Sequence, residues 1–237
     1  METALRIIGA ALVAYLCGSI PWAVIVVKLY WKQDIRTLGS GNTGATNVLR
    51  VFGTFPGIVV LVLDAAKGAL GVWLAWMFAD PAFGAPQSWG ASGYDWFGVL
   101  GSLAAVAGHS FSPFIGFKGG KGVATTAGAL LVLAPKVWPV MLVVFVLVIA
   151  LWRMVSLGSV VIALIFPGVS WWMYPDRHAL LILSVLLTVL VVWRHRSNLG
   201  RIVHGTESKI SFRRRTWDDL KDREGSPEPP AGDDGGE

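Results

Sequence analysis

Residues 57–79 read GIVVLVLDAAKGALGVWLAWMFA, an apolar run that contains only two charged side chains, Asp64 and Lys67. As an α-helix this run would be roughly 34 Å long, which is enough to cross the hydrocarbon core of a bilayer. Asp64 and Lys67 are three residues apart and therefore share one helical face. Charges at this depth are costly and usually face a protein interior. Two interpretations stay open, an ion pair between helices and a substrate contact, and the ion pair is favoured.

The same composition extends over most of the chain. Of its 237 residues, 54% are hydrophobic and 15% are charged. A mean hydropathy of +0.60 excludes an ordinary soluble domain and indicates a polytopic membrane protein. The single cysteine, Cys17, excludes an internal disulfide and a cysteine-based metal site. Besides the run already quoted, apolar runs cover residues 4–27, 96–107, 122–151, 155–174 and 179–193.

Prolines divide one of these runs. Pro135 and Pro139 interrupt residues 122–151, so we predict two short helices that meet in a turn there. The chain then has about seven transmembrane helices and belongs to the class of all-α polytopic membrane proteins.

Basic residues are distributed unevenly over the loops of this seven-helix prediction. One face, which includes the segment after residue 193, carries 14 basic residues. The opposite face carries only three, which are Arg6, Lys136 and Arg177. Because positively charged loops stay in the cytoplasm, we predict an external N-terminus and a cytoplasmic C-terminus.

Composition also divides the chain into two parts. We interpret residues 1–212 as a single integral membrane domain. Residues 213–237 are charged and end in GSPEPPAGDDGGE, with almost nothing apolar. Such a segment cannot bury a core, so we predict a disordered cytoplasmic tail.

Three polar segments lie on the predicted cytoplasmic face, and each is rich in groups that bind oxyanions. The first, residues 38–53, reads LGSGNTGATNVLRVFG. Its glycines make backbone donors accessible, and Arg50 could grip a phosphate with two parallel N–H bonds. A capped interfacial helix with a snorkelling arginine remains an open alternative. The candidate site residues of this segment are Ser40, Asn42, Thr43, Asn47 and Arg50.

The second segment, residues 108–128, reads GHSFSPFIGFKGGKGVATTAG. Bare glycine amides, two ammonium groups and the start of a predicted helix together indicate an anion cradle. The spacing excludes a Walker A loop, because Ile115 occupies the position of its first glycine. We therefore expect phosphate binding without nucleotide hydrolysis, and we predict that His109 at the entrance is structural. The cradle consists of Lys118, Gly119, Gly120, Lys121 and Gly122.

The third segment, residues 194–210, reads RHRSNLGRIVHGTESKI. His195 and Asn198 are three residues apart, so they share a helical face and can point at one site. Glu207 is either a carboxylate base or an anchor for its loop, and the surrounding cations favour the anchor. The other arginines of this segment are interpreted as contacts to acidic lipid. The four histidines are scattered, so the sequence predicts neither a metal site nor a cofactor.

Three stretches, GSGNTGATNVLRVFG, GHSFSPFIGFKGGKGVATTAG and HRSNLGRIVHGTE, together resemble the motifs of the bacterial acylphosphate:glycerol-3-phosphate acyltransferases. They occur in the family's order, and the resemblance extends over residues 18–210. It implies a membrane enzyme that transfers a fatty acyl group from acyl phosphate to the 1-hydroxyl of sn-glycerol 3-phosphate. The products are lysophosphatidic acid and phosphate, in the first acylation of phospholipid synthesis.

The resemblance further implies a multi-pass protein of the bacterial inner membrane, with its active site at the cytoplasmic face. An upstream enzyme would supply the acyl phosphate, and no nucleic acid is involved. The implied catalytic residues are Ser40, His195 and Asn198. The implied substrate-binding residues are Asn42, Thr43, Asn47, Arg50, Lys118, Gly119, Gly120, Lys121, Gly122 and Glu207.

A membrane transporter of a phosphorylated metabolite is the alternative function. Such a protein needs polar residues at mid-membrane depth on several helices. In this sequence only Asp64 and Lys67 meet that condition, while the polar segments gather at one interface.

Overall fold

A computed structural model describes residues 1–79 and 92–210 of the chain. All regular structure within these residues is helical, which confirms the predicted all-α class. The predicted tail, residues 213–237, lies outside the described residues. The α-helices of the described part are α1 (Glu2–Gly18), α2 (Trp22–Trp31), α3 (Ala45–Phe52), α4 (Thr54–Trp76), α5 (Ser92–Ser110), α6 (Val123–Leu133), α7 (Val137–Trp152), α8 (Val155–Met173), α9 (His178–Arg194) and α10 (Arg196–Val203).

Several of these helices are suited to a bilayer. Among the described residues, four segments are long and apolar enough to cross it: Glu2–Trp31, Thr54–Trp76, Asp95–Ile115 and Val155–Met173. A fifth candidate combines α9 with α10, which are bent by 60° at their junction, while α6 and α7 are apolar but shorter. The protein is an integral membrane protein, and its seven crossings and orientation remain predictions.

The first predicted run, residues 4–27, is broken in the structure. Helix α1 ends at Gly18 and α2 begins at Trp22. The cause is Pro21, which has no N–H to donate and whose ring clashes with the preceding turn. Lys67 Nζ donates to the Ile20 carbonyl oxygen at 2.8 Å, so the break does not leave that acceptor unpaired.

Two other helix predictions can be compared directly. The pair of short helices around Pro135 is confirmed, because α6 ends at Leu133 and α7 begins at Val137. Helix α5 is longer than the predicted run 96–107. The apolar pattern stops before the polar residues at both ends of α5, although these residues are helical. Apolar length therefore underestimates the length of a helix that has polar ends.

Helix α4 is the central element, and its contact with α6 is especially close. A Cβ atom at Gly68 would lie 1.9 Å from the Thr125 carbonyl oxygen, and one at Gly128 would lie 1.8 Å from that of Ala65. Only glycine permits this approach, in the manner of small residues between membrane helices. The contact fixes α6, and therefore the loop that precedes it, against α4.

The charged pair of α4 is buried, with Asp64 1% and Lys67 4% exposed. Lys67 Nζ lies 2.8 Å from Asp64 Oδ1. The pair therefore forms within one helix and not between helices, but it reaches other elements through the Ile20 carbonyl and through His109 of α5. The favoured ion pair is confirmed with this correction, and a substrate contact of Asp64 remains open.

Candidate active site

A cavity of about 500 Å³ lies among α3–α10, and α5 contributes His109 to its lining. This volume is within the range of small-molecule sites. One end of the cavity is polar, and all three polar segments contribute to it although they are far apart in the sequence. The predicted site residues that line it are Ser40, Asn42, Asn47, Arg50, Lys121, Gly122, His195, Asn198 and Glu207.

Glu207 lies at the centre of the polar end, and its side chain is only 1% exposed. Oε1 accepts hydrogen bonds from Ser156 Oγ at 2.8 Å and Asn198 Nδ2 at 2.7 Å. Oε2 accepts one from Arg201 Nε at 2.8 Å. These contacts join the segment that follows α10 to α8 and α10, which is the arrangement expected of an anchor, and the substrate-binding role of Glu207 stays a prediction.

Glu207 is also the main negative charge among these cations. Burial alone would raise its pKa, but hydrogen bonds from Asn198, Ser156 and Arg201 and the charge of Arg201 hold the pKa below its usual value. The carboxylate therefore stays ionised at neutral pH and offsets part of the positive charge around the cavity.

Lys121 directly precedes Gly122, the N-cap residue of α6, and its side chain lines the cavity. Its Nζ donates to Asn198 Oδ1, so the Asn198 amide bridges the ammonium group and Glu207. Burial is the main reason why the pKa of Lys121 falls to about 8, and the nearby charges of Arg201 and Arg50 add to this effect, while Glu207 opposes it. At neutral pH the ammonium group is mostly charged.

His195 joins α9 to α10 and is 3% exposed. Its Nδ1 lies 2.8 Å from the Val191 carbonyl oxygen, which can only accept, so the ring proton is on Nδ1 and Nε2 is an acceptor. Burial, followed by the charge of Lys121, lowers the pKa of His195 to about 4. The imidazole is therefore neutral at pH 7 and better suited to orient a hydroxyl than to remove its proton.

The first polar segment is held by Asn47, which is 2% exposed. Its Oδ1 accepts from the Ser40 amide at 2.9 Å, and its Nδ2 donates to the Leu38 carbonyl at 2.9 Å. Asn47 thus anchors the loop that brings Ser40 to the cavity. Arg50 lines the cavity from α3 and donates to the Ser208 carbonyl at 3.3 Å. Thr43 is buried but is not among the described residues that line the cavity.

The predicted cradle of bare amides requires a correction. The amides of Gly119 and Gly120 donate to the carbonyls of Ser110 and His109, each at 3.1 Å, because the loop folds back on the end of α5. The Lys118 side chain is exposed, and neither Lys118, Gly119 nor Gly120 is among the described residues that line the cavity. Lys121 and Gly122 line it, as do the first residues of α6, whose N-terminus presents the positive end of the helix dipole.

Three contributors to this arrangement were missed or misinterpreted from the sequence. Arg201 and Arg194 were interpreted as lipid contacts. In the structure Arg201 donates to Glu207, and Arg194 donates to carbonyls of the glycine loop, residues 118–122. Arg201 follows Asn198 by three residues, and this spacing could have indicated a shared face. Ser156 and Arg194 carry no comparable sequence signal, since only the tertiary fold brings them to their partners.

The other end of the cavity is apolar and is lined by residues of α4 and α6–α9, among them Trp138, Met141, Phe145, Ile162 and Phe166. Lining residues on one side are also 43–59% exposed: Leu61, Val62, Leu131 and Leu142. The apolar end therefore reaches the molecular surface at these residues of α4, α6 and α7.

Comparison with known proteins agrees with this arrangement. The family model for glycerol-3-phosphate acyltransferase matches residues 8–205. The chain is 45% identical over 199 residues to the glycerol-3-phosphate acyltransferase of Trichlorobacter lovleyi, covering 83% of this chain and 94% of that protein. It is 42% identical over 220 residues to the enzyme of Enterococcus faecalis, covering 88% and 94%.

Two solved structures are also similar, both of PlsY (YgiH), an integral membrane glycerol 3-phosphate acyltransferase. The glycerol 3-phosphate form has a TM-score of 0.74 and 34% identity, covering 86% of this chain and 96% of that one. The lysophosphatidic acid form has a TM-score of 0.70 and 31% identity, covering 89% and 96%. Since the matched region includes every described helix that lines the cavity, the chain belongs to the glycerol-3-phosphate acyltransferase family.

Proposed function

We propose that this protein transfers a fatty acyl group from an acyl phosphate to the 1-hydroxyl of sn-glycerol 3-phosphate, giving lysophosphatidic acid and phosphate. The observation that carries this proposal is that one cavity has a cationic end and an apolar end, and that the apolar end reaches the exposed apolar surface of the helices. An acyl phosphate and lysophosphatidic acid each combine an anionic phosphate group with an apolar acyl chain, so each matches both ends of the cavity. The similar structures in glycerol 3-phosphate and lysophosphatidic acid forms support the same reaction.

The reaction needs little covalent help from the protein. An acyl phosphate is a mixed anhydride with a good leaving group. The glycerol hydroxyl oxygen forms a bond to the acyl carbon, the bond from that carbon to the phosphate oxygen breaks, and the hydroxyl proton ends on the released phosphate. Positioning and charge neutralisation therefore supply most of the catalysis.

The cations of the cavity would bring two dianions together. In our proposal Arg50 and Lys121 hold the two phosphate groups, and the positive end of α6 contributes to the same field. Ser40, His195 and Asn198 orient the attacking hydroxyl. Since the pKa of His195 is about 4, a substrate phosphate, whose second pKa is about 6, is the stronger proton acceptor.

The same proposal includes a membrane orientation. Seven segments cross the bilayer of the bacterial inner membrane, and the polar end of the cavity faces the cytoplasm. Glycerol 3-phosphate would reach the site from there, and an upstream enzyme would supply the acyl phosphate. The hydrogen bond from Lys121 to Asn198 supports this arrangement, because it requires both segments to lie on one side of the membrane.

The test uses purified full-length protein in lipid vesicles with glycerol 3-phosphate and either palmitoyl phosphate or palmitoyl-coenzyme A. We expect lysophosphatidic acid from the acyl phosphate only. A Lys121→Met protein serves as the matched negative control, and Arg196→Gln, which removes a nearby exposed cation, serves as the positive control. Uptake of glycerol 3-phosphate into sealed vesicles without acyl transfer would overturn the proposal in favour of a transporter.

A further inference from the structure

Arg194, the last residue of α9, makes a forked contact with the glycine loop. Its Nη2 donates to the carbonyl oxygens of Gly119 at 2.6 Å and Gly120 at 2.8 Å, and its Nε donates to that of Gly120 at 3.1 Å. The guanidinium also lies 5.4 Å from the centre of the Phe111 ring. A planar fork can hold two adjacent carbonyls in this way, whereas a lysine ammonium acts as a point charge on a flexible stem.

His109 contacts Gly120 in two ways, through a hydrogen bond to its amide and through close packing of the imidazole against it. The Gly120 amide donates to the His109 carbonyl at 3.1 Å, and a Cβ atom on Gly120 would lie 2.1 Å from His109 Nε2. The imidazole is 6% exposed, and its Nδ1 lies 3.6 Å from Asp64 Oδ1. Asp64, which is paired with Lys67, therefore lies beside the His109 ring.

Lys121 directly follows this doubly held glycine. Its long side chain has many rotamers, and the position of its ammonium group depends on where its backbone is fixed. The loop would otherwise be adaptable, because two successive glycines restrict the chain least. Arg194 and His109 therefore remove freedom at the one point from which Lys121 extends to Asn198.

We infer that Arg194 is a positioning residue: together with His109 it clamps the Gly119–Gly120 backbone and thereby places the Lys121 ammonium for a substrate phosphate. This inference rests on the proposed function for the identity of that substrate. It extends that function, because Arg194 does not line the cavity among the described residues and acts through Lys121.

The first part of the test measures the clamp itself, without catalysis. Hydrogen–deuterium exchange is followed at the amides of residues 119–122 in full-length protein in lipid nanodiscs. We expect Arg194→Gln to accelerate exchange at Gly119 and Gly120 by at least about tenfold, because both carbonyls lose charged donors. Arg196→Gln, which removes a charge two residues away, should leave it unchanged. Equal exchange in wild type and Arg194→Gln would overturn the inference.

The second part separates positioning from charge. Arg194→Lys keeps the positive charge but loses the fork. With the KM of glycerol 3-phosphate and that of acyl phosphate both measured, we expect the KM of the substrate that Lys121 binds to rise at least about tenfold, nearly as much as in Arg194→Gln. Full recovery of KM in Arg194→Lys would show that only the charge matters and would overturn the positioning role. If Arg194→Gln does not fold, exchange in Arg194→Lys decides the first part. If the wild type makes no lysophosphatidic acid, the proposed function fails while the exchange result still decides whether the clamp exists.

Discussion

If Lys121 binds a substrate phosphate as proposed, the activity of this protein should fall at alkaline pH. Its pKa of about 8 means that the ammonium is about 90% charged at pH 7 and about 10% charged at pH 9. An ordinary lysine would stay almost fully charged over this range. If the charged form binds a substrate phosphate, kcat/KM should be nearly constant up to pH 7 and fall about tenfold per pH unit above pH 8, since kcat/KM reports the free enzyme.

The neighbours of Lys121 do not produce this change. The charged groups that face it are Arg50 from α3, Arg194 from α9, Arg201 from α10, and Glu207 after α10. The arginines stay protonated and Glu207 stays ionised between pH 7 and 9.5. Substrate phosphate monoesters complete their ionisation below this range, with a second pKa of about 6. Unfolding caused by the titration of Lys121 does not explain the loss of activity either. The pKa of Lys121 is lower in the folded than in the unfolded state, so its contribution to the free energy of unfolding increases as the pH rises from 8 to 10.5.

The assay follows lysophosphatidic acid from pH 6.5 to 9.5 with each of the two substrates varied in turn at subsaturating concentrations of the other, and with correction for uncatalysed hydrolysis of the donor. Lys121→Arg carries a charge that does not titrate in this range, so its profile should lose the alkaline decrease even if its rate at pH 7 is lower. A wild-type profile that is flat to pH 9.5, or the same decrease in Lys121→Arg, would refute the assignment of this limb to Lys121.

Three further outcomes follow from the site. Replacing Arg50 by Ala should lower kcat/KM at least about tenfold if it holds a phosphate, and unchanged turnover in correctly folded protein would remove it from the site. Gly120→Ala should also lower activity at least about tenfold, because its Cβ would lie 2.1 Å from His109 Nε2. Gly200→Ala is the control and should be active, because no atom lies within 4 Å of the new Cβ. Equal activities of the two variants would contradict the packing argument. Glu207→Gln should move the alkaline decrease of kcat/KM to lower pH, because the carboxylate that raises the pKa of Lys121 is removed, and a decrease at unchanged pH would contradict this coupling.

Much of the fold follows from local patterns in the sequence. Apolar length predicts α4, α8 and α9, and Pro135 predicts the separation of α6 from α7, because these features depend on the solvent and on the local backbone. The break at Pro21 escaped the prediction, since the apolar run continues through it and the carbonyl that it frees is satisfied by the distant Lys67. The number of crossings is not decided by length alone, because α6 and α7 are shorter than a typical span.

The site was predictable in its membership and less so in its internal contacts. Polar residues of three segments indicated one anion site, and most of them line the cavity. The glycine loop was predicted to offer its amides to a ligand, but the structure uses those of Gly119 and Gly120 to hold the loop itself. Contacts such as Ser156 to Glu207, or Arg194 to Gly120, join residues that are far apart in the chain, and no local spacing encodes them.

If the donor enters the cavity through an opening at the exposed apolar residues of α4, α6 and α7, its effective concentration is set within the membrane. An amphiphile that arrives through this opening never has to desorb from the leaflet, and its chain stays in contact with hydrocarbon throughout the encounter. Turnover should therefore scale with the mole fraction of donor among the surrounding lipids, whereas the water-soluble acceptor follows ordinary bulk molarity. Diluting the leaflet with inert phospholipid would slow the protein even when the total amount of donor in the sample stays the same.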